Sequence, residues 1–597
     1  MADEHPQKTE NLNPPAGNGN GETLPWWRTA RFFGLGLAAL AVLGAVLRLW
    51  GWPAQALLDD EWHALDFVLG KTFLGVLLFQ GMGANSIPVN IYSWVLLHTV
   101  GWSEPLLRLP STLAGIAALV LLPLLAARLW GRTVALVFAA LLAMAPVTIF
   151  YSRVARPYAP VMLLAAASVL LTLLWLRDHR RRDVVLAALC GVGAIYYHLY
   201  AVIPVGLALA VASGYVLAHR WKWVRQPMPP LADVWLAGGL MAVLGGLLVV
   251  LPNLLDPWWM HGIHGVDRAT ADTAFTVLGL FAGTPVLALQ VLLGGLALLG
   301  WLWILVQSRP LGLALGVPFA GFALAMALST QDGAHAGIQV ARYGIAFFPL
   351  AYLLVAAALA AAARGVARCL PERARLPVAV LAAAALAAPY LATSPLWTTY
   401  QHPNNFTNHS AYQYRYEPIN WELSPERDLV PGYRMSSADI PPLYRGKIAS
   451  LGIRGVIEYP MLIGDHLNLH YFSQHDHRYP VRLGYVDTVR FSPLSSEDKW
   501  VFDDTPIDYV LSRIPPGLRR NCRWYSMADL SDADKLRRTY PGWLVVVHRN
   551  LLRETFPSQF GPKTKDHPLA LSVARRLYDA LGPPVYRDTH IAAWVVR

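Results

Sequence analysis

An acidic segment follows the first long apolar run of the chain. The segment, "LLDDEWHALD" at residues 57–66, contains Asp59, Asp60, Glu61 and Asp66. A carboxylate in such a position can act as a general base, bind a cation or solvate the surface of the chain. Four acids in an otherwise neutral stretch argue against solvation alone. The segment is therefore a candidate for catalysis or ion binding.

Arginines in other segments are suited to an anionic ligand. Arg153 and Arg156 lie in "YSRVARPYAP", Arg108 lies in "EPLLRLPS", and Arg342 lies in "QVARYGIAFFP". A guanidinium binds oxyanions through paired hydrogen bonds, so these residues are candidates for binding a phosphate. Extension of the side chains toward lipid headgroups is the alternative. His198, in "YYHLY", can hydrogen-bond a substrate or cap a turn.

A histidine-rich stretch, "DHLNLHYFSQHDH", is the candidate for a metal site. Its histidines are His466, His470, His475 and His477. The first two are four residues apart and would share one face of a helix, as a metal pair requires. No cysteine joins them and the flanks indicate strand or loop, which favours a polar surface over a zinc site. The three cysteines of the chain are too few and too scattered for a disulfide framework.

Composition indicates an integral membrane protein. The 597 residues are 55% hydrophobic and 15% charged, and 22 of them are Trp. A spanning helix needs about 20 mostly apolar residues. By that criterion about eleven runs are predicted to span, at 30–50, 107–128, 132–150, 157–176, 184–199, 201–218, 233–251, 275–306, 310–329, 343–363 and 376–392. The net charge of +11 lies in short clusters between these runs rather than in a stripe for nucleic acid.

The basic clusters predict the orientation of the chain. The clusters lie at 28–31, 128–132, 177–183, 219–225, 307–310 and 364–375. They all fall on one side of the membrane if residues 88–101 form an amphipathic surface helix, whereas a spanning helix there would divide them. Positive charge marks the cytoplasmic side. The acidic segment, the candidate arginines and His198 are then predicted to meet at the outer face.

The predicted fold is a polytopic α-helical membrane protein with a C-terminal soluble α/β domain on the outer face. Residues 1–27 are predicted to be a disordered cytoplasmic tail, and residues 28–392 the transmembrane catalytic module with its first outer loop at 51–106. Residues 393–597 contain no spanning run and form the outer domain. Strands are predicted at 453–460, 480–486, 507–514 and 542–550, and a helix at 570–581.

Five motifs resemble those of the GT-C superfamily of membrane glycosyltransferases, most closely the bacterial relatives of protein O-mannosyltransferases and of the lipid A aminoarabinose transferase. In chain order they are "DDEWHALDFVLG", "SIPVNIYSWVLLHTVGWSEPLLRLPSTLAG", "MAPVTIFYSRVARPYAPVMLL", "YYHLYAV" and "ARYGIAFFPL". The likeness covers roughly residues 30–360 and includes the order of the segments. One departure is the family's His-Pro-Pro-Leu motif, of which "NSIPVNIY" keeps only Pro88.

The resemblance implies an inverting sugar transfer from a polyprenyl-phosphate donor to a glycan, lipid or protein acceptor at the bacterial inner membrane. It implies Asp60 as the base, with Glu61 as its partner and Asp59 as a possible helper. Donor phosphate would be bound by Arg108, Arg156 and Arg342, with Arg153 as a further candidate. Substrate contacts are expected from Tyr158, His198, Tyr343 and His63. No cofactor is expected, and a divalent metal is not expected because the donor carries one phosphate.

Two other functions are compatible with the same location. A lipid or glycan flippase would bury ionisable residues at the middle of the membrane and often contains inverted repeats. The spans here are almost free of charge, which favours the enzyme. An oligosaccharide ligase that uses a diphosphate-linked donor would share the outer-face site, and the chemistry of the donor would distinguish it.

Overall fold

The computed structural model describes the helical part of the chain and pieces of the C-terminal part. The described residues are 30–52, 61, 68, 71–78, 86–101, 103–255, 271–328, 337–394, 396, 405–406, 433–434, 441–459, 461–463, 479, 523–525, 536–538, 540–548, 568–589 and 591–597. Several predicted features lie outside them. These are Asp59, Asp60, His63, Asp66, the four histidines of 465–477, and the predicted strands at 480–486 and 507–514.

Helices dominate the first two thirds of the chain. They are α1 (Ala30–Leu49), α2 (Phe73–Leu78), α3 (Ile87–Thr99), α4 (Glu104–Trp130), α5 (Arg132–Met144), α6 (Pro146–Ser152), α7 (Tyr158–Asp178), α8 (Arg181–Tyr197), α9 (Val202–Arg220), α10 (Leu231–Gly245), α11 (Leu251–Leu255), α12 (Ala271–Ala282), α13 (Leu287–Gln307), α14 (Arg309–Leu328), α15 (Gly337–Tyr343), α16 (Phe348–Cys369) and α17 (Glu372–Ala392). Short 3-10 turns at Leu199–Ala201 and Ile345–Phe347 precede α9 and α16, and a π-helical turn at Gly246–Val250 joins α10 to α11.

Among the described residues, eight helices are long and apolar enough to cross a membrane, or nine if α5 and α6 form one bent span. The prediction of a polytopic helical protein is confirmed, with fewer full-length spans than the eleven runs. Helix α8 has 17 residues, and the apolar part of α17, Leu381–Ala392, is also short. Helices α7 and α16 are the innermost, since 89% and 83% of their most apolar windows are buried.

Two of the predicted spanning helices are interrupted, and the two interruptions lie in contact with each other. The run at 132–150 bends by 60° between α5 and α6, where Pro146 begins the second helix. The run at 275–306 divides into α12 and α13 at Gly283, whose φ of +68° favours glycine. A Cβ atom on Gly283 would lie 2.7 Å from Cδ of Pro146. Only a glycine therefore allows these two breaks to pack together.

Ion pairs join helix ends at what we call the basic end of the bundle, formed by the C-termini of α4 and α7 and the N-termini of α8 and α10. Nη2 of Arg128 lies 3.2 Å from Asp178 and 3.0 Å from Asp183. Nε of Arg181 lies 3.4 Å from Asp233. These contacts place the clusters at 128–132 and 177–183 at the same end of the bundle.

The C-terminal part contains a small mixed sheet, as predicted. Its strands are β3 (Gly455–Tyr459), β6 (Trp543–His548), β7 (Tyr586–Arg587) and β8 (Ile591–Val595), and further short strands are β1 (Asn405–Phe406), β2 (Tyr433–Arg434), β4 (Met461–Ile463) and β5 (Arg523–Tyr525). The sheet order is β3-β6-β8-β7, with β3 parallel to β6 and the other neighbours antiparallel. Further helices are α18 (Pro442–Arg445) and α19 (Pro568–Leu581), of which α19 packs on β6 and β8.

Candidate active site

A buried ion pair anchors the acidic segment to the helix bundle. Nε and Nη2 of Arg108 donate to Oε1 and Oε2 of Glu61 at 2.8 and 2.7 Å, and both side chains are fully buried. The backbone N–H of Ala155 also donates to Oε1 of Glu61, at 2.6 Å. The carboxylate therefore joins three parts of the sequence, since Arg108 lies in the second turn of α4 and Ala155 lies between α6 and α7.

Local sequence explains where α4 presents Arg108. Ser103 caps the helix, because its hydroxyl accepts a hydrogen bond from the N–H of Leu106, and a proline follows in the first turn. A buried charge is tolerated only when it is paired and its remaining hydrogen bonds are made. The bidentate geometry meets that condition for Glu61. Both oxygens of Glu61 already accept hydrogen bonds, two at Oε1 and one at Oε2, so the geometry suits a positioning role.

Arg153 and Arg48 hold the chain where it enters the acidic segment. Nη1 of Arg153 donates to the carbonyl oxygens of Trp50 at 2.6 Å and of Arg48 at 3.3 Å, at the C-terminal end of α1. Arg48 is buried and donates to the hydroxyl of Ser152 at 3.2 Å and to the carbonyl oxygen of Leu142 at 3.1 Å. A cation at a helix C-terminus also interacts favourably with the helix dipole. The end of α1 is thereby fixed against α6.

Helix α4 packs closely against the segment that contains Arg156. The hydroxyl of Thr112 donates to the carbonyl oxygen of Ser152, and that of Ser111 donates to the carbonyl oxygen of Arg156, both at 2.7 Å. A Cβ atom on Gly115 would lie 2.0 Å from Oγ of Ser152, so only glycine permits this approach. The backbone of residues 152–156 is therefore fixed both by the hydroxyl groups of α4 and by the carboxylate of Glu61.

Aromatic side chains from three segments surround His198. Its ring centroid lies 6.1 Å from that of Tyr158, 5.9 Å from that of Tyr200 and 6.3 Å from that of Tyr343. Tyr200 and Tyr343 are stacked, with centroids 4.5 Å apart and ring planes at 11°. Cζ of Arg342 lies 6.0 Å from the Tyr158 ring centroid. We call these four rings together with Arg156 and Arg342 the cationic cluster.

The charge of the cluster acts on His198. Burial, together with the positive charges of Arg156 and Arg342, lowers the pKa of His198 to about 3. The imidazole is therefore neutral at physiological pH and can both donate and accept a hydrogen bond. One buried and one half-buried guanidinium group close to one imidazole favour an anionic ligand.

We expect His198→Gln to lower turnover by about tenfold, because the carboxamide cannot place its donor and acceptor where the imidazole places them, without changing the shape of the pH–rate profile. The folded-state pKa is depressed, so His198 does not titrate between pH 5 and pH 8. Rates measured across that range for wild type and variant give the comparison. Loss of an inflection near pH 6.5 in the variant would contradict the neutral assignment. His219→Gln, at the basic end, is the control and should leave both rate and profile unchanged.

The structure brings together five of the predicted site residues and leaves others apart or untested. Arg156, Arg342, Tyr158, His198 and Tyr343 form the cationic cluster, whereas Arg108 pairs with Glu61 and Arg153 binds the end of α1. The predicted roles of all these residues stay predictions. In the parts of the chain that are described, no group of three His, Cys, Asp or Glu side chains could hold a metal ion.

Sequence reasoning missed Tyr200 and Arg48. Tyr200 follows His198 by two residues in "YYHLYAV", so the motif contained a usable signal. Arg48 stands near the end of the first apolar run. A single arginine there suggests no more than a charge at the membrane boundary.

Comparison with known proteins relates the chain to membrane glycosyltransferases. Residues 88–255 match the family described as dolichyl-phosphate-mannose-protein mannosyltransferase. ArnT from Cupriavidus metallidurans, in the apo state, is similar in structure with a TM-score of 0.51 and 14% identity, over 95% of this chain and 98% of that one. The archaeal oligosaccharyltransferase AglB from Archaeoglobus fulgidus has a TM-score of 0.46 and 12% identity, over 88% and 70% of the two chains. No curated protein matches in sequence.

The match to the family model covers α3 to α11 and so includes Arg108, the 152–156 segment and His198. The likeness to ArnT extends over nearly the whole of both chains. The chain therefore has a fold similar to that of ArnT, and its residues 88–255 match the family described as dolichyl-phosphate-mannose-protein mannosyltransferase.

Proposed function

We propose that the protein is an inverting glycosyltransferase that moves a sugar from a polyprenyl-phosphate donor to an acceptor hydroxyl. One observation carries the proposal: Oε1 of Glu61 accepts a hydrogen bond from the N–H of Ala155, the residue before Arg156. This contact joins the acidic segment to the cationic cluster. A base and a site for a leaving phosphate are the two elements that the reaction requires.

The proposed mechanism assigns one step to each element. Asp60, the covalent neighbour of Glu61, takes the proton of the acceptor hydroxyl. The oxygen attacks the anomeric carbon, the bond to the phosphate oxygen breaks, and polyprenyl phosphate leaves with the electron pair. Arg156 and Arg342 stabilise the negative charge that develops on the phosphate. The carbon inverts because attack and departure occur on opposite faces.

The nature of the donor explains a site at the end of a membrane bundle. Withdrawing a polyprenyl chain from lipid would cost about 0.8 kcal/mol per methylene, so the enzyme has to meet the phosphate at the bilayer surface. We place this surface on the outer face of the bacterial inner membrane, with the N-terminus in the cytoplasm and residues 393–597 outside. The matched family's description also names a phosphate-linked lipid donor.

The test is sugar transfer by the purified full-length protein in lipid nanodiscs. Radiolabelled undecaprenyl-phosphate hexoses and pentoses are offered as donors beside their undecaprenyl-diphosphate counterparts, with membrane lipid, glycan and protein extracts as acceptors. We expect transfer from a monophosphate donor and none from a diphosphate donor. Transfer from the diphosphate donor alone would indicate an oligosaccharide ligase. Movement of the lipid between leaflets without any transfer would indicate a flippase.

The same assay, repeated with a chelator, tests whether transfer requires a metal ion. We propose that a divalent ion is dispensable, because arginines can neutralise the single phosphate of the donor. Activity that falls with EDTA and returns with Mn²⁺ or Mg²⁺ would overturn this part of the proposal.

A further inference from the structure

Helix α3 buries polar residues on one of its faces. Ser86, at the N-cap position of α3, Asn90 and Ser93 are spaced i, i+4 and i+7, so they share one face, and all three are buried. Three apolar residues of the helix are buried as well, whereas Val95 is 42% exposed. The polar face of α3 therefore points into the protein.

The carboxamide of Asn90 lacks hydrogen-bond partners in the described part of the chain. Asn90 has no exposed surface, and neither its Oδ1 nor its Nδ2 makes a hydrogen bond. A carboxamide can donate two hydrogen bonds and accept two, and a buried one that makes none is strongly disfavoured. Native proteins pair such groups, so a partner from outside the described residues is implied.

The surroundings of α3 place Asn90 at the end of the bundle that contains the cationic cluster. Helix α3 packs on α8 and on α4, and the hydroxyl of Tyr92 donates to the carbonyl oxygen of Leu106 in the first turn of α4, at the end of α4 opposite the basic end. The N-terminus of α8 lies at the basic end, where Arg181 meets Asp233, so its C-terminus, next to His198, is at the opposite end. Nδ1 of His198 is likewise buried without a hydrogen-bond partner among the described residues.

The chemistry of the carboxamide restricts the ligand. A phosphate accepts hydrogen bonds but does not donate to Oδ1, and a polyprenyl chain does neither. Sugar hydroxyls both donate and accept, and two adjacent hydroxyls can match the neighbouring donor and acceptor of a carboxamide. We propose that Asn90 hydrogen-bonds hydroxyl groups of the donor sugar and helps to select that sugar, an inference that rests on the proposed glycosyl transfer.

The test compares Asn90→Leu with wild type on a panel of donors. Leucine is similar in size and makes no hydrogen bond. With the fully hydroxylated donor we expect kcat/KM to fall by about tenfold to a hundredfold. With the monodeoxy donor that lacks the recognised hydroxyl, we expect the variant and wild type to differ by less than about threefold. The thermal midpoint of the donor-free variant should equal or exceed that of wild type, because a buried amide without partners has been removed.

Tyr92→Phe is the matched control on the same helix. The hydroxyl of Tyr92 donates to the carbonyl oxygen of Leu106 at 2.8 Å, so this change should lower stability without altering the preference between donors. Equal losses for Asn90→Leu across the whole donor panel, or no loss with a raised thermal midpoint, would overturn the inference and leave ordered water as the partner. If wild type transfers no sugar from any polyprenyl-phosphate donor, the proposed function itself fails.

Discussion

Asp60→Asn is expected to reduce sugar transfer by about a thousandfold, while Glu61→Gln is expected to reduce both transfer and stability. Asparagine has the shape of aspartate but cannot take up the acceptor's proton. The buried Arg108 keeps its Glu61 counter-charge in this variant, so the thermal midpoint and donor affinity should stay close to wild type. The measurements are transfer rate, thermal unfolding and donor binding for each variant.

Glu61→Gln acts through Arg108. The substitution keeps the shape of the side chain but leaves a fully buried guanidinium without its counter-charge. Removing one partner of a buried pair typically costs about 3–5 kcal/mol, so a large fall in the thermal midpoint is expected. Turnover should fall as well, because glutamine has one acceptor oxygen in place of two and so weakens the attachment of this segment to Arg108 and Ala155.

A double variant separates positioning from proton transfer. In Glu61→Gln with Arg108→Met, no buried charge remains unpaired, so much of the lost stability should return. Recovery of stability without full activity would identify the pair as a positioning device. If Glu61→Gln were stable and inactive while Asp60→Asn kept its rate, Glu61 would be the base instead. Asp178→Asn is the control, because its partly exposed pair with Arg128 should contribute little.

The sequence predicted which candidate residues lie together at one end of the bundle but not the partner of each charged residue. The apolar runs and basic clusters were sufficient to predict that Tyr158, His198 and Tyr343 lie at the same end of the bundle. A residue at the terminus of a spanning helix lies at one of the two ends of the bundle, and the basic clusters mark the other end. The resemblance then selected the residues at that end. These predictions depend on periodicity and charge, which are local properties of a sequence.

The partner of each charged side chain depends on contacts between residues that are far apart in the chain. In the sequence, Arg108 and Arg153 were candidates for binding phosphate, as Arg156 was. In the structure, Arg108 binds Glu61, 47 positions away, and Arg153 binds carbonyl oxygens at the end of α1. The break at Gly283 is also a tertiary effect, since its close contact is Pro146 from another broken helix. Hydropathy averaged over a window cannot detect a single positive φ inside an apolar run.

These different partners lead to a prediction for three of the arginines. Arg342→Gln and Arg156→Gln are each expected to lower kcat/KM by about a hundredfold to a thousandfold, because each removes one charge that stabilises the leaving phosphate. The corresponding lysine variants should retain part of the activity, since a lysine keeps the charge but loses the paired hydrogen bonds. The measurements are initial rates over a range of donor concentrations.

Binding of undecaprenyl phosphate separates these residues from their neighbours. The lipid should raise the thermal midpoint of wild type, and the glutamine variants of Arg156 and Arg342 should show a smaller rise. Arg153→Gln is the matched control: its guanidinium binds the end of α1, so the variant should be less stable yet keep the shift with lipid. A lost shift in Arg153→Gln together with normal shifts in the other two would assign the phosphate to Arg153 instead. All three variants remove one positive charge from the same end of the bundle. A difference among their lipid-induced shifts therefore reports which guanidinium contacts the phosphate, and not a change in the overall electrostatic potential.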